Sequence, residues 1–302
     1  MLATTINKYC YITCRHLPPF FEHKHRIVYS HIENIKNNDE IEHPAVRAVF
    51  KWANIIEGLE IHHDGDLPAR SGLGSSSSFT VGLLNALQAH RGMMANKESL
   101  ARDAIHIEQN LIGENVGSQD QISAAYGGLN YIEFHRNDSF DVSPVILREQ
   151  RREELQDHLM LFFTGFSRIA SEIAKSKIDN LKKREVEIKL MREMVNEAIE
   201  ILQSQSNSVD EFGKLLGDSW KYKRSLSERV TTPEIDAIYE AAVSVGAIGG
   251  KILGAGGGGF ILLFSKPENQ PAIRERLKNL IHVPFKFEDS GSRVVLYQPN
   301  GL

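Results

Sequence analysis

Short runs of alternating apolar and polar positions give way repeatedly, along the whole chain, to runs with a period of three to four, so strands and helices interleave. Residues 2–15 carry β-branched and aromatic side chains in rough alternation, and 26–32 repeat the pattern after Pro18-Pro19, which predicts a hairpin. From 44 to 56 the period lengthens: Pro44 opens the run, and Val46, Val49, Phe50 and Ala53 fall on one side, as in a helix. Residues 59–63 read as a strand, followed by a helical run in which Phe79, Leu83, Ala86, Leu87 and His90 share a face. A further helix is predicted over 97–112, where Leu100, Ala104, Ile105, Leu111 and Ile112 share their face with Glu108. A carboxylate on an inward stripe needs a partner, either an arginine or a metal ion.

A short helix over 122–126 and a strand over 131–134 lead to the charge-rich piece 148–157, the best candidate for a domain boundary. Beyond it the pattern predicts a strand at 158–164, a long helical region from 169 to about 204, and helices at 209–226 and 233–245. A strand at 260–264, a helix at 269–280 and strands at 283–287 and 293–297 follow. This order predicts an α+β fold, with helices packed on one face of largely antiparallel sheets, in two domains, 1–150 and 151–302. A chain of 302 residues has room for two cores.

Composition narrows the function classes. A net charge of −4 argues against nucleic acid or a polybasic membrane contact as the partner, while leaving room for a small acidic substrate held by local Arg and Lys clusters. No apolar run is long enough to span a bilayer, and Met1 to Thr5 lack a basic region followed by an apolar core, so a cytoplasmic setting is expected. Cys10 and Cys14 are about 13 Å apart if they share a strand, too far to bridge, and read as reduced thiols.

The chemistry gathers in two glycine-rich stretches. Gly72-Leu73-Gly74-Ser75-Ser76-Ser77 joins a strand to a helix, and on its own admits two readings: a serine-capped helix start, or a phosphate cradle made of free N–H groups and the helix dipole. Gly254 to Gly259 opens a strand rather than a helix, which excludes a dinucleotide fold of the G-x-G-x-x-G type. A P-loop is excluded because no Lys-Ser/Thr pair follows either glycine run. Phosphoryl transfer fits the remaining pieces: the loop cradles a triphosphate, Glu108 with a serine hydroxyl holds Mg²⁺, and Asp120 serves as base. Taken alone, Asp120 in Gly117-Ser118-Gln119-Asp120-Gln121 is also an ordinary helix cap, and Arg168 an ordinary surface arginine at a helix start.

Pro68-x-x-x-Gly72-Leu73-Gly74-Ser75-Ser76-Ser77 resembles the phosphate loop of the GHMP kinases, and Lys251 to Gly259 resembles their C-terminal glycine motif. The resemblance implies a ribosomal-protein-S5-like N-terminal domain and a ferredoxin-like C-terminal domain, with ATP and substrate between them. It implies ATP contacts at Gly72 to Ser77 and at Gly256 and Gly257, Mg²⁺ on Ser76 and Glu108, and Asp120 as the catalytic aspartate. Thr5 to Tyr9, Gly117 to Gln121 and Phe163 to Arg168 look most like the heptose and fucose kinase branch, which implies phosphorylation of the anomeric hydroxyl of a sugar phosphate such as a heptose 7-phosphate. Arg168, with Lys175 or Lys8, is then expected to bind the sugar's own phosphate, and a homodimer is the assembly left open. The family's first motif should precede Thr4 and is absent, so the natural N-terminus lies outside this sequence or the chain is a remnant with impaired catalysis. A nucleotide- or sugar-phosphate-binding remnant and a fucose-type kinase are the alternatives.

Overall fold

The computed structural model describes residues 1–69, 71–165 and 170–298. Their contacts divide the chain into two units, one made of Thr5–Ala69, Gly74–Gly128 and the residues from Glu288 on, the other of Met1–Thr4, the loop residues up to Leu73, and Leu129–Phe287. The chain passes between these units several times, whereas the pattern of charge points to one boundary near residue 150.

The first unit is built on a four-stranded sheet in the order Cys10–His16, Leu59–Gly65, His25–Val28, Ile32–Ile35. The hairpin expected between 2–15 and 26–32 does not form. Cys10–His16 instead runs antiparallel to Leu59–Gly65, on whose other edge His25–Val28 lies parallel. The reason is burial: Leu59, Glu60 and Ile61 are buried in succession, and such a strand takes the centre, where both edges are paired. Cys10 and Cys14 are free thiols on one strand, and burial pushes both up to about 12.

Four helices belong to this unit: α1 (Pro44–Trp52), α2 (Ser75–His90), α3 (Lys97–His106) and α4 (Gln119–Tyr126). Helix α1 stops short of the expected residue 56, because Asn54 takes a left-handed turn at φ 48°. Helix α2 buries Phe79, Leu83 and Leu87 as its period predicts, and also Thr80, Val81 and Leu84. Helix α3 continues into a wider π-type turn, Ile107–Ile112, which carries Glu108. Such widened turns recur at functional sites.

The second unit has an antiparallel sheet in the order Ala247–Ile252, Phe260–Ser265, Leu159–Phe163, Ile281–His282, and a smaller one of Leu2–Ala3, Asn130–Phe134 and Phe140–Pro144. Its helices are α5 (Glu149–Asp157), α6 (Ala170–Asn180), α7 (Glu185–Gln203), α8 (Asp210–Ser225), α9 (Pro233–Val243) and α10 (Gln270–Arg276). Met160, Phe162, Ile261 and Leu263 of the sheet pack with Trp220, Val230, Ile235 and Ile273 into one core, each large side chain contributing roughly 1.5–3 kcal/mol of transfer free energy. The charge-rich piece proves to be helix α5, anchored by buried Leu155 and by Arg151, which donates to the Ser204 and Asn207 carbonyls. The single long helix expected over 169–204 is two helices separated by a 3₁₀ turn at Leu181–Lys183. Residues 293–297, expected as a strand, have no strand partner among the described residues.

Candidate phosphoryl-transfer site

Helix α2 begins at Ser75, and the residue that caps it is Gly74, at φ 70° and ψ 22°, with no side-chain hydrogen bond to the first turn. Four serines stand in a row here, yet none provides the cap that serine ordinarily provides. The first-turn N–H groups are therefore not satisfied by a capping side chain, and the positive end of the helix dipole adds to their pull on an anion. Of the two readings the loop admitted, the structure removes the serine-capped one.

Gly74 is also a point of close approach. A Cβ built on it would stand 3.2 Å from both Cβ and Cγ of Asp120, so the Asp120 side chain lies against the backbone at the helix start. Asp120 is the second residue of helix α4, whose N-cap, Ser118, makes no side-chain cap bond. Asp120 accepts from Gln119 Nε2 at 3.3 Å and is half-buried.

Glu108 reaches the same turn from the opposite chain segment. Its carboxylate Oε2 accepts from Ser77 Oγ at 2.9 Å and from Gln121 Nε2, and Thr80 donates to the carboxylate as well. The side chain is 1% exposed, and burial pushes its carboxyl above the usual range, against the pull of these three donors. Adjacent residues of α4 thus face one helix end, Asp120 at Gly74 and Gln121 at Glu108.

The serine that touches Glu108 is Ser77, not Ser76, which is exposed. Adjacent residues of a helix are turned about 100° from one another around its axis, so within the run of serines only one side of the turn faces Glu108. Glu108 Oε1 is buried with no hydrogen-bond partner among the described residues, as is Gln121 Oε1. An orphaned carboxylate oxygen beside a serine hydroxyl and an amide oxygen is a hard donor set, and it fits a Mg²⁺ ion that keeps its remaining ligands as phosphate and water. Among the described residues no three His, Cys, Asp or Glu side chains gather as a metal cage.

On the inner side of the same turn, Phe79 is flanked by His43 and His63, with ring centroids 4.7 and 4.8 Å away. Burial pushes both imidazoles below their ordinary range.

In the second unit, the loop residues before Gly74 meet the C-terminal glycine motif. Gly72 lies against the Leu253 carbonyl and Gly254, and at Gly259, φ 89°, a Cβ would run into the Ser71 carbonyl oxygen. The motif is tied to its own surroundings: Thr164 N and Oγ1 both donate to the Gly259 carbonyl at 2.8 Å, and Gly257 N donates to Val230 O at 2.8 Å. The Gly257 N–H is thereby engaged internally, and Gly256 packs on the Val230 backbone. Lys223, 7% exposed, donates to the Ile252 carbonyl at 2.7 Å and the Gly254 carbonyl at 2.8 Å.

Of the basic residues expected to meet a sugar phosphate, Lys8 is half-buried in the first unit and Lys175 is exposed on α6, while Arg168 lies outside the described residues. Sequence reasoning placed Ser77 among the ATP contacts and Ser76 with Glu108, and did not single out Gln121 or Lys223. Gln121 sits one position from Asp120, and Lys223, inside Lys221-Tyr222-Lys223-Arg224, has the look of a solvated helix face.

Residues 40–128 match the GHMP kinases N terminal domain, and residues 196–282 match the GHMP kinases C terminal domain. A D-glycero-alpha-D-manno-heptose 7-phosphate kinase of Campylobacter jejuni is 34% identical over 73% of this chain, and a bifunctional fucokinase/GDP-fucose pyrophosphorylase of Arabidopsis thaliana is 29% identical over 84%. The chain spans 65% of the length of the first and 25% of the second. A D-glycero-D-manno-heptose 1-phosphate kinase from Bacteroides thetaiotaomicron superposes with a TM-score of 0.70 at 25% identity, covering 96% of this chain and 88% of that one. A mevalonate kinase, at 17% identity and a TM-score of 0.74, shares the fold over 96% of this chain and 92% of its own.

Proposed function

The chain belongs to the GHMP kinases, and from that premise we propose that it transfers the γ-phosphoryl group of ATP to the anomeric hydroxyl of a sugar that already carries a phosphate, a heptose 7-phosphate being the first candidate. The observation that carries this reading is the meeting of Asp120 and Glu108 on the first turn of α2, a helix start with no side-chain cap. The N–H groups of Ser75 to Ser77 and the loop from Gly72 take the triphosphate. Asp120 accepts the proton of the attacking hydroxyl as its oxygen bonds the γ-phosphorus, and the bond from that phosphorus to the bridging oxygen breaks, releasing ADP. Glu108, with Ser77 and the neighbouring Ser76, would hold Mg²⁺, which would offset the phosphate charge. Gly254 and Gly259 act indirectly, by giving Gly72 and Ser71 a surface to lie on, and Gly256 and Gly257 by fixing the motif on the Val230 backbone. The two domains of this reading are the S5-like and ferredoxin-like ones, at 1–150 and 151–302.

A fucose-type acceptor is the second reading, favoured by the fucokinase among the relatives. An ADP-release assay with heptose 7-phosphate, unphosphorylated heptose, fucose, galactose and mevalonate decides between them. Turnover with the phosphorylated heptose far above the rest supports the proposal. Equal turnover with the unphosphorylated sugars would replace it, and ATP binding without turnover of any of them would point to a non-catalytic binding protein.

A further inference from the structure

Three lysines of the second unit gather where the strand Ala247–Ile252 runs into the glycine motif. Lys223 is held by the Ile252 and Gly254 carbonyls. Lys251 is the residue just before Ile252, set opposite Leu262 in the sheet and half-buried. Lys177 lies on α6 one turn beyond Ile173, which is 3% exposed, so its stem leaves the helix on the face turned inward.

Helix α6 is fastened beside this same loop. Ser176 Oγ meets Ser227 Oγ at 2.7 Å, and Asn180 Nδ2 donates to the Leu226 carbonyl at 3.3 Å, in the segment that goes on to Val230 and its bond from Gly257. Lys177 stands close enough to Lys251 for its charge to act on it, and burial pulls both ammonium groups below the ordinary lysine range. Neither has a hydrogen bond or an ion pair among the described residues. Lysines on the open surface of this unit do better: Lys214, Lys221 and Lys278 each hold a carboxylate at 2.8 Å.

Two neighbouring ammonium groups, partly removed from water and without a counter-charge among the described residues, are an unfavourable arrangement. One doubly charged anion compensates both. A phosphate monoester carries about 1.5 to 2 negative charges near neutral pH, and lysine binds phosphate as a point charge, whereas a carboxylate would leave one ammonium uncompensated. We propose that Lys177 and Lys251 bind the phosphate monoester of the acceptor, with Lys175, exposed two residues earlier on α6, at the rim. The choice of the acceptor's phosphate rests on the reading of the chain as a sugar-phosphate kinase; the anion site does not.

Competitive acetylation of the whole chain at pH 8, read residue by residue by mass spectrometry, tests this without turnover. Inorganic phosphate is expected to lower labelling of Lys177 and Lys251 several-fold relative to chloride at equal ionic strength, leaving Lys214 and Lys278 unchanged. Unchanged labelling at the pair overturns the site. In a second arm, a sugar phosphate protects the pair and the same sugar without phosphate does not. Protection by ATP alone overturns the assignment to the acceptor. If turnover is found, Lys251→Met raises KM for the phosphorylated sugar by about tenfold or more while KM for ATP stays within about twofold, the loss expected of one charge-assisted contact. Parallel rises in both constants overturn it.

Discussion

Glu108 and Asp120 sit at opposite ends of the same chemical problem, a carboxyl group set against a helix start. Glu108 is buried and its carboxyl is pushed above the usual range, so the folded chain holds that proton to higher pH than the unfolded chain does. Between the two pKa values unfolding releases the proton, and stability falls as pH rises out of the ordinary carboxylate range towards the folded value. Glu108→Gln is therefore expected to raise the melting temperature at pH 7 in the absence of metal, with the gain shrinking as pH falls towards about 4.5 and levelling off below it. Thermal unfolding across that range checks it, and a variant less stable than wild type at every pH would show that the three donors outweigh burial. Glu108 was legible in the sequence because a carboxylate breaks an otherwise apolar stripe. Which serine meets it was not, because four consecutive serines carry no signal of which one faces inward, and only the rotation of the helix decides it.

At the scale of elements, the two glycine-rich stretches act as surfaces as much as loops. Gly74→Ala sets a Cβ against the Asp120 side chain and forces a left-handed backbone on alanine, at a cost of roughly 1–2 kcal/mol in stability. The variant is expected to keep its fold and lose turnover, since it moves the carboxylate; unaltered kcat would separate Asp120 from the reaction. Gly259→Ala collides with backbone rather than with a side chain, which has less freedom to give way, and is expected to cost more, as read by chemical denaturation. Lys223→Met removes two bonds from a buried ammonium and is expected to destabilise by roughly 1.5–3 kcal/mol per bond lost, with Lys223→Arg recovering part of it. The period of the apolar positions located the helices well, with errors at ends and breaks: α1 stops at Asn54, and the run after residue 169 is interrupted at Leu181. The sheets were harder, because pairing is not local. Nothing near residues 10–16 announces that their neighbour is Leu59–Gly65 rather than the next strand along.

For the whole molecule, the sequence carried the class of fold, the two glycine motifs and their order, because each is a local pattern with a physical meaning. What it could not carry is convergence. Gly74, Glu108 and Asp120 come from three separate segments, and their meeting follows from the packing of α2, α3 and α4 in one unit. Among the described residues no helix is long and apolar enough to cross a membrane. The central claim is that this meeting point performs phosphoryl transfer, and paired measurement of kcat and ATP affinity for wild type and Asp120→Asn tests it most directly. With heptose 7-phosphate as acceptor, the variant is expected to lose about 10²–10⁴-fold in kcat, the usual worth of a positioned base, while its Kd for ATP stays within about twofold. A variant that turns over as wild type does, or that loses ATP binding and fold together, would contradict the account.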